Sequence, residues 1–174
     1  MKYFIVIIMM LITENTSAVM VGVNMHELLN NSLYIVEFEI TEVREEQFVI
    51  KILETLKGEK QDTLLVNQYP GHYNQREVPY AVGLKGVLFI EANKYSGLLE
   101  VLGGCCGGEI FYNYGIVSFY KEKCTPEQVK SAILEYFINK VIIGRLIAAR
   151  KLKTYKTSNP YMKHILKYLA YDEI

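Results

Sequence analysis

The stretch from Leu33 to Gly58, LYIVEFEITEVREEQFVIKILETLKG, constrains the fold more than any other part of the chain. Apolar side chains at Leu33, Ile35, Val36, Phe38, Ile40 and Val43 are separated by Glu37, Glu39 and Glu42. Side chains alternate faces along a strand, so a spacing of two predicts one buried and one wet face. Arg44-Glu45-Glu46-Gln47 interrupts the pattern, and Phe48, Ile50, Ile52, Leu53 and Leu56 resume it. Two β-branched runs around a short polar turn predict a hairpin, with a long amphipathic helix as the alternative. Lys57-Gly58 ends the run at a residue suited to a turn of positive φ.

Further short runs follow. Met25 to Asn31 reads as a helix capped by Asn24, and Thr63 to Val66, Gly86 to Glu91 and Leu98 to Leu102 read as strands. No helical run separates the strands, which predicts a small closed or partly closed barrel. The longest irregular stretch is Asn67 to Pro79, NQYPGHYNQREVP. Long loops are over-represented at binding sites, so Tyr69, His72, Tyr73 and Arg76 are the candidate ligand contacts. A passive surface loop explains the same residues.

The order LYIVEFEITEV, FVIKILETLKGE, TLLVNQ and YAVGLKGVLFIEAN resembles the barrel of the netrin-like and tissue-inhibitor-of-metalloproteinase-like group. Ile50 to Gly58 and Val82 to Ile90 carry the likeness, which spans about 60 residues of the chain. The resemblance implies a five-stranded barrel of the OB type. Inhibitors of this group chelate zinc with a cysteine at the mature N-terminus. No cysteine precedes Cys105 here, so inhibitor activity does not carry over. The same texture occurs in exported bacterial proteins, and the barrel hosts many unrelated binding functions.

Residues 1–18 read as a secretory signal peptide: Lys2, an apolar run from Tyr3 to Ile12, and Thr16-Ser17-Ala18 before the cut. The run is too short to span a bilayer, and a buried N-terminal strand is the alternative. Export to the periplasm or medium is the expected localisation. Residues 19–124 then form the barrel domain with an extra hairpin, and residues 125–174 a helical appendage. Formal charge is zero overall but unevenly placed. Val19 to Thr125 carries nine Lys+Arg against fourteen Asp+Glu, and Pro126 to Ile174 nine against four. The basic tail suits the acidic barrel, an anionic surface or water alone.

Gly103-Gly104-Cys105-Cys106-Gly107-Gly108 is the most unusual local sequence. It leads into Glu109 to Tyr112 and, after Tyr114-Gly115, into Ile116 to Tyr120, which predicts a further hairpin. Export favours oxidation, so Cys105 or Cys106 is expected to pair with Cys124, leaving one cysteine over. There is no CxxC, no Cys/His metal spacing and no Lys-Ser/Thr of a phosphate loop, so no metal or cofactor is expected.

Thr125-Pro126-Glu127-Gln128 reads as a capping box with proline in the first turn. Val129, Ile133, Phe137 and Val141, with Leu134, Ile138 and Ile142 beside them, predict an apolar stripe packed on the barrel. Glu135, Asn139, Lys140 and Arg145 exclude a membrane span there. Thr157-Ser158-Asn159-Pro160 starts a second helix, with Tyr161, Ile165, Leu166 and Leu169 on one face. The fold class is therefore mainly β with C-terminal α: an OB-like barrel, an extra hairpin and two C-terminal helices.

His26, His72 and His164 are scattered, and no catalytic motif is present. The expected function is an exported, non-enzymatic binding module for an unknown protein or surface ligand. Alternatives are attachment to an anionic membrane through the basic helices, or an enzyme using Cys105 or Cys106 with His72. Nucleic acid is not an expected partner of an exported chain of balanced charge.

Overall fold

The computed structural model describes residues 25–68, 79–103, 108–112, 117–119 and 122–171. The candidate contacts Tyr69, His72, Tyr73 and Arg76, the pair Cys105 and Cys106, and residues 1–18, the expected leader, lie outside the described residues.

The predicted hairpin is present. Strand β1 (Tyr34–Val43) pairs antiparallel with β2 (Gln47–Lys57) across the Arg44–Glu46 turn. Three register irregularities along the β1–β2 ladder coil the pair, which closure of a small barrel requires. β3 (Thr63–Asn67) pairs antiparallel with β2 and meets β5 (Leu99–Val101) in parallel at Asn67 and Glu100. β4 (Lys85–Ala92) runs antiparallel to β5 and to β1, so the circuit β1-β2-β3-β5-β4-β1 is closed. This is a five-stranded OB-like barrel, in an α+β chain that is mainly β. Gly58 turns the chain at φ 99°, and a Cβ there would sit 2.5 Å from the Tyr34 ring.

The glycine-cysteine stretch interrupts the last barrel strand. Val101 stands opposite Ile90, and β6 (Glu109–Phe111) resumes on the same edge of β4 with Glu109 opposite Leu88. Leu102 donates to the Phe89 carbonyl, and the Phe89 amide donates to the Gly108 carbonyl. Both ends of the excursion therefore close on one residue. Gly108 is required there, because a Cβ would lie 1.9 Å from the Leu102 carbonyl oxygen. The further hairpin accordingly has other partners than expected. Glu109 to Phe111 joins the barrel, whereas β7 (Val117–Phe119) pairs with β8 (Glu122–Cys124). Alternation marks a strand but does not name its partner.

Three helices cover one side. α1 (Met25–Asn31) lies before β1, α2 (Pro126–Ala148) follows β8, and α3 (Pro160–Tyr171) ends the described chain. The α2 capping box forms as predicted: Gln128 N–H donates to Thr125 Oγ1 at 3.2 Å, and Thr125 N–H to Gln128 Oε1 at 2.9 Å. α2 stops at Ala148, with Arg150 at φ 53° and the Arg150 and Lys151 amides donating to the Ile147 and Leu146 carbonyls. This left-handed close ends α2 well before Thr157–Pro160, where the second helix starts. A short 3-10 turn, Leu152–Thr154, joins it to α3.

Two cores result. Val36, Phe38, Ile40, Phe48, Ile50, Val66, Leu88, Ile90 and Val101 fill the barrel. The neighbouring residues Ile35, Val87 and Phe89 point outward and are also fully buried, beneath α1, α2 and α3. The expected wet face of β1 is therefore corrected at its start. Ile35 is covered by the helical layer, and Glu37 is held by Lys130 of α2. The apolar stripe of α2 is corrected as well. Val129, Ala132, Ile133, Tyr136 and Ile143 are buried, but Val141 and Ile138 are 68% and 81% exposed. A spacing of four drifts around a helix of 3.6 residues per turn, so such a row leaves the buried face within a few turns.

Candidate functional site

Residues flanking the candidate binding loop are firmly placed. Gln68 is buried at the end of β3, and its amide nitrogen donates to the Arg44 carbonyl at 2.7 Å. Tyr80 tilts over Phe48 with ring centroids 4.3 Å apart, and its hydroxyl donates to Glu109. Gly83 N–H reaches the Ile40 carbonyl at 2.8 Å. The loop thus leaves and rejoins one end of the barrel, beside the β1–β2 turn. The outer face of β2 and β3 presents Val49, Lys51, Thr63 and Leu65, and no aromatic ring for base stacking is among these four.

A second site lies in the helical layer. Leu152, Tyr155, Leu166 and Ala170 form an apolar floor, ringed by Lys153, Lys163 and Lys167, in an open cleft of 390 Å³. The α3 amphipathic pattern builds it. Tyr161, Met162, Ile165, Leu166 and Leu169 face the core, which turns Lys163 and Lys167 to solvent. Asn159 fixes the start of α3: its Oδ1 accepts from the Tyr161 and Met162 amides at 3.0 and 3.2 Å. Its Nδ2 donates to the Gln128 carbonyl at 3.0 Å, tying α3 to the first turn of α2. Within the expected Thr157–Pro160 helix start, Asn159 before Pro160 is the residue that caps.

Charged groups elsewhere serve the packing. Lys130 lies 3.0 Å from Glu37 on β1 and 3.0 Å from Glu54 on β2. Burial pulls the Lys130 pKa down, but hydrogen bonds and charge from Glu37 and Glu54 outweigh it and hold the ammonium above its usual range. Lys57 donates to the Leu29 and Asn30 carbonyls at 3.1 and 2.7 Å, closing the C-terminus of α1. Burial, with Lys140 nearby, lowers the Lys57 pKa.

The two described histidines have separate partners. His26 Nδ1 lies 2.9 Å from the buried Tyr136 hydroxyl, which also accepts from Asn30 Nδ2 at 2.9 Å. His164 lies between the Tyr161 and Tyr168 rings. His72, Cys105 and Cys106, the residues of a Cys/His enzyme, lie outside the described residues, and Cys124 is buried in the helical-side core. Among the described residues no group of three His, Cys, Asp or Glu is placed to hold a metal, and no helix is long and apolar enough to cross a membrane. No protein-family model, curated protein or solved structure matches the chain.

Proposed function

We propose that this chain is a non-enzymatic interaction module that attaches to an anionic membrane surface through its C-terminal helices. The cleft between the 3-10 turn and α3 carries the reading, because an apolar floor inside a ring of lysines suits an amphiphile with an anionic head. The plus-five balance of residues 126–174 supports it, since basic side chains near an anionic leaflet each contribute about 1 kcal/mol. Arg150, Lys151 and Lys156 on the adjoining connection extend the positive field.

The reading takes the chain as exported and processed after Ala18, which rests on the Lys2, Tyr3–Ile12 and Thr16–Ala18 pattern. It takes the barrel as netrin-like, because Ile50–Gly58 and Val82–Ile90 fall on β2 and on the entry to β4. Co-sedimentation of the full chain with vesicles tests it. Binding should rise with phosphatidylglycerol content and fall at least about tenfold in Lys153→Glu/Lys163→Glu/Lys167→Glu. Equal binding to neutral phosphatidylcholine vesicles would refute the proposal.

A second reading places ligand contacts on Tyr69, His72, Tyr73 and Arg76. It is favoured by Gln68 and Tyr80, which pin both ends of that loop to the barrel rim. Shortening the loop between Gln68 and Pro79 should abolish capture of an extracytoplasmic partner, and retained capture would reject this reading.

A further inference from the structure

We infer that the outer face of α2 is a contact surface between two copies of this chain, paired about a two-fold axis with their α2 helices antiparallel. The helix carries apolar side chains on two opposite sides. Val129, Ala132, Ile133, Tyr136 and Ile143 are buried on one side. Leu134, Ile138, Val141 and Ile142 stand exposed on the other. At 100° per residue these four fall within a stripe about 100° wide, centred near Ile138. A helix apolar on both sides is what a core helix needs, and among the described residues only one of the two sides of α2 is covered.

Charge decides the partner. Glu127 and Arg145 lie on the same stripe, eighteen residues or five full turns apart, which is about 27 Å along the axis. Glu127 is exposed at the N-terminal end, with Lys130 of its own helix 3.8 Å away and already shared with Glu37 and Glu54, and Arg145 is exposed at the C-terminal end. In an antiparallel pair each Glu127 meets the partner's Arg145, and Leu134 meets the partner's Ile138 between them. The two-fold axis repeats both contacts, as a self-complementary interface requires. A parallel pair would set Glu127 against the partner's Glu127 and Arg145 against the partner's Arg145. The groove beside the ridge, lined by Glu54, Ser131 and Asn139 among others, gives the incoming helix a lateral wall.

Sedimentation velocity of the full chain across the micromolar range tests this. The expected species at the upper end has twice the 20.1 kDa mass of one chain. Ile138→Glu, at a position that contributes little to the chain's own core, should raise the dissociation constant at least about tenfold. Glu127→Arg and Arg145→Glu should each weaken pairing, and Glu127→Arg/Arg145→Glu should restore it, because the opposed charges are then simply exchanged. A wild-type monomer throughout the range overturns the inference, including the case in which the chain's own N-terminal segment occupies the ridge. Assembly that survives Ile138→Glu, or a double variant no better than either single one, overturns it equally.

Discussion

The barrel interior and the helical layer are packed by different rules, although β1 and β4 belong to both. Inside the barrel every second residue of a strand points inward, so Val36, Phe38 and Ile40 form one continuous column. The helical layer has no such period. It gathers Met25, Leu28 and Leu29 from α1, Ile35, Val87 and Phe89 from the barrel wall, Val129 and Ile133 from α2, and Tyr161 and Ile165 from α3. The barrel is thus specified by local alternation, and the helical layer by which segments the topology brings together. The helical layer also holds the fixed polar contacts that a mosaic needs, at Tyr136, Lys130 and Asn159.

The sharpest way to break this comparison is to empty each core in turn. Phe38→Ala and Phe89→Ala each remove a fully buried ring and should cost about 3–5 kcal/mol in urea denaturation. The shared strands require one cooperative transition in both cases, seen alike by far-ultraviolet circular dichroism and tyrosine fluorescence. Two separated transitions in Phe89→Ala would show that the layers fold independently.

Gly108→Ala probes the barrel edge alone. The clash with the Leu102 carbonyl forces a backbone shift and should cost about 1–3 kcal/mol. An unchanged denaturation midpoint would mean that the excursion does not close at Phe89.

Tyr136→Phe probes the helical layer. It removes the hydroxyl shared by His26 and Asn30 and should cost about 1–2 kcal/mol by thermal denaturation. Asn159→Ala loses the cap of α3 and its tie to Gln128, for about 1 kcal/mol. Protection of α3 amides from hydrogen exchange should fall more than that of β2 amides. Equal losses would remove the distinction between the layers. The smallest change is a gain. Gly144 lies in α2 with nothing within 4 Å of an added Cβ, so Gly144→Ala should stabilise by up to about 1 kcal/mol on the same thermal assay.

Most of the barrel was legible in the sequence for the reason just given. Period-two alternation is a local signal, and it located β1, β2, β3 and β4 to within a residue or two. The capping box at Thr125 and the turn at Gly58 were legible too, because each rests on a few adjacent residues. Partnerships were not. Nothing local says that Glu109 joins β4 rather than the following strand, or that Glu37 faces a lysine ninety-three residues away. The α2 stripe misled because both sides of the helix are apolar, so spacing alone could not tell Ile133 from Ile138. The lysine-ringed cleft needed the bend at Arg150 to bring Leu152 and Tyr155 against α3. A left-handed residue that is not glycine gives no sequence warning.

The closure of both ends of the 103–107 excursion on Phe89 has a consequence for how this chain can change over generations. A segment whose two ends already sit side by side is a branch from the ladder rather than a link in it. Its length is then only weakly coupled to stability, since the entropy of closing a loop rises by only about 0.6 kcal/mol for each doubling of its length. Insertions at this junction should therefore cost less than elsewhere in the last barrel strand, where each would shift the register. It is where a lineage could acquire a new surface, or an engineer graft one, while Val101 and Glu109 keep their places.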